Sequence, residues 1–350
     1  MSYPNLYDIS WQVDESTYRQ DPAFSYSTLA RFDREGFDKI DHLFDRIETP
    51  SLTFGSAVDA LMTGGQEEFD SQFIVAEFPP ISDNLQTIAK TLFNLYSNEH
   101  RTIDSINDEI LAEVGANCDF YSNPKYKNYR VKLIKENCQE YYNIMYAAQG
   151  KKVLDTETMQ KVKDVVKALK ESEATSWYFQ PNSPFDSNIQ RFYQLKFKAT
   201  FDNIDYRCMA DEIIVDHENK IIYPIDLKTS GHPEWDFANS FVQWRYQIQA
   251  RLYWRIIRKN LDAHPIFKNY MLKNYRFIVV NKETVTPLVW EFGRTQENGQ
   301  LEFGKNNQIV FNDPFYLGKS LKYYMDRHPR VPIGIKANDI NNLESKLCEL

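Results

Sequence analysis

The chain has 350 residues, 42% hydrophobic and 15% aromatic, with 22 Tyr and 23 Phe; this speaks against disorder and suits a packed globule with a substantial core. Its formal charge of −8, from 41 basic and 49 acidic residues, argues against a protein that coats nucleic acid through a basic surface. No stretch reaches the apolar length of a membrane span and the start lacks a basic, apolar leader, so the expectation is a cytoplasmic protein with no membrane contact.

In chain order, helices are expected near 27–37 and 55–61, followed by a mostly helical stretch over 84–180 that reads as an insertion. Residues 189–201 and 205–215 read as a hairpin across Asp202-Asn203-Ile204, and 221–228 as the next strand after the turn-forming Asp216-His217-Glu218-Asn219-Lys220. A long helix is expected over 236–259, with Phe237, Phe241, Trp244, Ile248, Leu252 and Ile256 at core spacing. Two strands, 275–281 and 284–292, and a helix over 314–327 complete the pattern. The fold class is α/β, a central mixed β-sheet flanked by helices, with the sheet-and-helix core at 185–295 of one domain spanning 1–350.

Cys118, Cys138, Cys208 and Cys348 are too scattered for a structural zinc site, and a cytosolic setting favours thiols. The six histidines form no i, i+4 pair and read as surface or core residues. From Lys125 to Lys170 basic residues are interleaved with Tyr126, Tyr129, Tyr141, Tyr142 and Tyr146; such a stretch either faces phosphate or is an ordinary solvated helix face, and the second is favoured.

The chemistry concentrates in Met209-Ala210-Asp211-Glu212-Ile213-Ile214-Val215 and Ile221-Ile222-Tyr223-Pro224-Ile225-Asp226-Leu227-Lys228-Thr229. Alternation along a strand points Asp226 and Lys228 one way and Ile225 and Leu227 the other, into a core. Antiparallel pairing brings Asp211 alongside, while Glu212 points to the opposite face, solvated or salt-bridged. Two carboxylates beside an amine suit phosphodiester hydrolysis. Hard divalent cations prefer such oxygens, and a lysine there can handle a proton or steady the phosphate by charge.

Asp211 followed by Asp226-Leu227-Lys228 resembles the Asp…(Asp/Glu)-x-Lys signature of the PD-(D/E)xK nuclease superfamily. Gln249-Ala250-Arg251-Leu252-Tyr253 resembles the Gln-x-x-x-Tyr motif of its RecB-type exonuclease branch. The i, i+4 spacing puts Gln249 and Tyr253 on one helical face, with Arg245 on the same stripe. Upstream, Gly55-Ser56-Ala57-Val58-Asp59 resembles the branch's Gly-x-x-x-His segment, with Asp59 where a metal-binding histidine is usual. Ser25-Tyr26-Ser27-Thr28-Leu29-Ala30-Arg31-Phe32 is similar to the opening of exonuclease VIII-like phage recombination exonucleases. Gln190 and Gln194 lie on a strand where relatives often carry a glutamate.

The resemblance implies a restriction-endonuclease-like core and a Mg²⁺-dependent deoxyribonuclease acting from duplex ends in phage or plasmid recombination, with Mn²⁺ able to substitute. It implies Lys228, Asp211, Asp226, Gln249 and Tyr253 as catalytic residues, and Asp59, Asp211, Asp226 and the Leu227 carbonyl as metal ligands. Arg245, Gln249 and Tyr253 are the expected nucleic-acid contacts. Only Cys348 follows Cys208, which speaks against the four-cysteine iron–sulfur cluster of some relatives. A single-strand-annealing protein and further copies of the chain are the implied partners. A structure-specific or restriction-like endonuclease, a non-catalytic DNA-binding protein of the same fold and a structural protein with an accidental motif are the alternatives.

Overall fold

The computed structural model describes residues 3–45, 47–183, 188–293 and 312–327. The chain divides into two compact units, one made of residues 1–64 and 164–350 and the other of residues 65–163. The second unit is inserted in the first, and it starts before residue 84 and stops before residue 180, the bounds expected for the insertion from helical patterning.

Before the insertion stand α1 (Glu15–Gln20), α2 (Tyr26–Glu35) and α3 (Pro50–Thr63). Each start is capped locally: Asp14, Ser25 and Thr49 accept from the backbone N–H of Thr17, Thr28 and Leu52, and Pro50 adds the fixed φ that suits a first helical turn. The inserted unit holds α4 (Gly65–Gln72), β1 (Phe73–Val75), α5 (Asp83–Tyr96), α6 (Asp108–Asn117), α7 (Lys127–Ala148) and β2 (Lys152–Leu154), and α8 (Thr156–Glu171) crosses its boundary. Ile88, Leu92, Leu111, Ile134, Cys138 and Tyr142 are in its apolar centre. β1 and β2 pair in parallel, a small sheet that the helical pattern concealed. Several lysines of this stretch pair with carboxylates, Lys127 with Glu109 at 2.5 Å, Lys135 with Asp108 at 2.6 Å and Lys161 with Glu157 at 3.1 Å. Tyr141 and Tyr142 are buried. Tyr126 and Tyr129 are exposed.

After the insertion come β3 (Ile189–Phe201), β4 (Ile204–Asp216), β5 (Ile221–Ser230), α9 (Phe237–Gln243), α10 (Tyr246–Ala263), β6 (Met271–Leu272), β7 (Arg276–Asn281), β8 (Leu288–Glu291) and α11 (Pro314–Arg327). The β3–β4 turn has positive φ at both Asp202 and Asn203, the backbone a two-residue hairpin requires. The sheet runs β3-β4-β5-β7-β8, with β6 also on β5. β5 is antiparallel to β4 and parallel to β7, so the sheet is mixed. The parallel β5-to-β7 connection needs a crossover, and α9 and α10 supply it.

The helix expected over 236–259 is broken. α9 ends at Gln243, and Arg245 adopts a left-handed backbone, φ 61°, before α10 begins. Past the break the helical phase is lost, so Trp244 is 43% exposed, while Ile248, Leu252 and Ile256 enter the main core with Phe237 and Phe241. α10 is buried nearly all round, Gln247, Gln249 and Arg251 included.

Candidate active site

Four elements deliver polar groups to one buried point. β4 brings Asp211, β5 brings Asp226 and Lys228, α3 brings Asp59 and α10 brings Gln249. The β4–β5 ladder runs from Asp216↔Ile221 to Glu212↔Ile225 and stops. One step further Asp211 would face Asp226, and like charges directly opposite disfavour pairing. The strands part there, and the Leu227 N–H donates to Asp211 Oδ2 at 2.9 Å. Leu227 thus reaches the site through its backbone N–H.

Asp226 is 1% exposed. Lys228 Nζ stands 2.5 Å from its Oδ2, an ion pair outside hydrogen-bond angles, and the Gln249 Nε2 donates to its Oδ1. The alternation is as expected, and Ile225 is buried on its side of β5, but the side that carries Asp226 is buried too. Asp226 shares the side of Ile222, which lies in the main core, whereas Leu227 is only half-buried. Both faces of β5 are covered, so a carboxylate on the α10 side is more deeply buried than the leucine beside it. Lys228 lies 4.9 Å from the Tyr246 ring centre. Burial alone would depress its pKa, but Asp226, Tyr246 and Asp211 outweigh that and hold the ammonium above the ordinary lysine range.

Asp59 reaches the same cluster from α3. Close approach of α3 to β5 depends on Gly55, where a Cβ would meet Thr229 Oγ1 at 2.9 Å. Asp59 Oδ2 accepts from Gln194 Nε2 at 2.8 Å. Burial, then the Asp226 charge, raises its pKa to about 7. Burial, then Asp226 and Asp59, pushes Asp211 well above the usual carboxylate range. Glu212, on the other face, is 2% exposed rather than solvated, and burial raises it to about 8 against the opposing Arg191 charge.

Tyr253 is buried one turn beyond Gln249, edge-on to Tyr275, its hydroxyl pKa pushed well above its ordinary value by burial. Of the stripe expected to face the DNA and active site, Gln249 meets Asp226 and Tyr253 lies one turn beyond it, while Arg245 is set apart from them. Gln249 and Tyr253 face inward on a helix that is buried nearly all round. Arg245 precedes the helix and pairs with Asp33 Oδ2 at 2.6 Å. Gln194 was absent from the expected site residues, although its signal is in the sequence as a shift of the apolar alternation across it. Of the histidines, His217 is buried between Tyr270 and Gln190 and His328 lies outside the described residues, as does Cys348; Cys118, Cys138 and Cys208 are free thiols.

Among the described residues no three His, Cys, Asp or Glu side chains form a ready-made metal cage. Mg²⁺ does not require one, since it commonly binds through one or two carboxylates and keeps its waters. The donors present are hard oxygens; the buried Asp59 Oδ1 and Gln249 Oε1 accept no hydrogen bond, while Asp226 Oδ2 faces the Lys228 ammonium. These residues fit a hard divalent cation. A cavity of about 530 Å³ lined by Phe69, Phe73, Lys151 and Met159 belongs to the inserted unit and contributes nothing to this cluster. Among the described residues no helix is long and apolar enough to cross a membrane.

No family model and no curated protein matches the chain. A crystal structure from Eubacterium rectale, of a protein provisionally named an exonuclease, is similar with a TM-score of 0.41 and 13% identity, over 92% of this chain and 86% of that one. A likeness of that size carries no argument about this chain.

Proposed function

We propose that this chain is a divalent-metal-dependent deoxyribonuclease of the PD-(D/E)xK, RecB-type branch that hydrolyses phosphodiester bonds from duplex ends. One observation carries the reading: Asp226 and Lys228 of one strand meet Asp211, Asp59 and Gln249 from three other elements at a buried point. Buried charge is unfavourable unless partnered or functional, and titratable groups that perturb one another concentrate at reactive sites.

Asp211 and Asp226, with Asp59 and the Leu227 carbonyl, would hold Mg²⁺ or Mn²⁺, which when bound neutralises phosphate charge and makes hydroxide accessible near neutral pH. Lys228, held charged by Asp226 and Asp211 in the metal-free cluster, would stabilise negative charge on the phosphate. Gln249 fixes the rotamer of Asp226. Tyr253 fills the space behind it and keeps water out. Setting the reaction in phage or plasmid recombination, with a single-strand-annealing partner and self-assembly, belongs to the same proposal and rests on the resemblance.

The test is hydrolysis of an end-labelled duplex in Mg²⁺, Mn²⁺ or EDTA, with free and blocked ends compared. Mononucleotide release that needs both metal and a free end is the expected result. Cleavage of blocked duplex would make the chain an endonuclease, and DNA binding without metal-dependent cleavage would make it a non-catalytic member of the fold.

A further inference from the structure

β3 and β4 each carry one residue too many for strict alternation, and at the same place. The residues of β3 that enter the main core are Phe192, then Leu195, Phe197 and Ala199; those of β4 are Ile204, Tyr206, Cys208 and Ala210, then Ile213 and Val215. Two residues separate core positions where one should. The ladder joins Tyr193 to Glu212 and Leu195 to Ala210, and skips the pair between them, Gln194 and Asp211. Gln194 is where the backbone absorbs the surplus, with φ 52°. A left-handed glutamine inside a long strand is strained, and such strain persists only where the surrounding structure over-determines it.

We infer that Gln194 is a positioning residue for the proposed metal site, its left-handed backbone turning Asp211 toward Asp226 and its amide seating Asp59. Strict alternation continued from Cys208 and Ala210 would send the Asp211 side chain to the opposite face of the sheet. The slip at Gln194 is matched across the ladder by one in β4, which presents Ala210, Ile213 and Val215 to the core and still aims Asp211 at the α10 side, where Asp226 lies. The same residue reaches across to α3, donating to Asp59 Oδ2 at 2.8 Å and leaving Oδ1 without a donor. A neutral amide suits that place, because it fixes a carboxylate without adding a fourth negative charge to three.

The inference rests on the proposed function, since metal affinity is the property being positioned. Gln194→Gly keeps the left-handed backbone and deletes only the amide. With Mn²⁺ titrated calorimetrically and melting followed in EDTA, the expected result is a melting temperature equal to or above the parent's with Mn²⁺ affinity about tenfold weaker, as outer-shell ligand partners usually show. In an Asp59→Asn chain the same substitution should change affinity by less than about twofold, because the partner of the amide has lost its charge. A parent chain that binds no Mn²⁺ overturns both the proposed function and this inference. A parent that binds while Gln194→Gly binds equally well overturns this inference alone, as does a loss undiminished in the Asp59→Asn chain or one accompanied by a large fall in melting temperature.

Discussion

Lys228 shows why a side chain's role depends on its neighbours. A buried lysine on an apolar wall would be driven toward neutrality and could serve as a base; here Asp226 at 2.5 Å and Asp211 hold the proton on. Lys228→Ala should therefore lower turnover by about 10²–10⁴-fold, the usual range for a positioned electrostatic group, and near-parent turnover would refute its role. Removing it also leaves buried carboxylates without their counter-charge. The melting temperature in EDTA should fall, and Mn²⁺ should restore it.

Glu212 and Asp59 set the pH response at the same scale. Both are acids whose folded pKa is raised, Glu212 from 4.5 to about 8 and Asp59 from 3.8 to about 7, burial being the first cause in each. The folded state thus binds these protons more tightly than the unfolded chain, so stability should be highest in mild acid and fall as pH climbs from about 4 to about 8. Chemical denaturation in EDTA across that range checks this. Glu212→Gln should flatten the upper part of the slope, and stability rising steadily toward pH 8 would contradict both assignments.

At the scale of elements, the approach of α3 to β5 decides whether Asp59 belongs to the site. Gly55→Ala would place a methyl 2.9 Å from Thr229 Oγ1, and relieving that overlap moves the helix. A loss of about 1–3 kcal/mol in stability with weaker Mn²⁺ binding is expected. Thr229→Ala, made together with it, should restore much of both. The break between α9 and α10 gives a second contrast. Trp244 is 43% exposed and stacks with Arg34 at 5.2 Å, so Trp244→Ala should cost about 1 kcal/mol or less. Ile248 is fully buried, and Ile248→Ala should cost about 2–5 kcal/mol. Equal costs would mean that the helix is continuous and Trp244 is a core residue.

At the scale of the whole molecule, the carboxylate cluster couples metal binding to folding. A cation that binds only the folded chain stabilises it by about 2.7 kcal/mol at a hundredfold excess over Kd. Mn²⁺ should raise the melting temperature of the parent and leave an Asp211→Asn, Asp226→Asn chain unchanged; an equal rise in both would place the metal elsewhere. Much of this organisation was legible in the sequence. The mixed α/β class, the β3–β4–β5 succession, the Asp226–Lys228 pair on one side of a strand and the helix over 314–327 follow from periods of 2 and 3.6 and from turn residues, all local properties. What only the tertiary structure decided was every relation that local periodicity cannot carry. The insertion begins at Gly65 because packing, not helicity, defines a unit. The 236–259 pattern breaks at Arg245, whose left-handed backbone goes with a contact to Asp33 of α2, far away in sequence. Asp226 faces the main core rather than away from it because α10 covers that side of the sheet. Asp211 points at Asp226 because Gln194, a residue whose type favours neither a strand break nor a turn, is held left-handed by the strands around it.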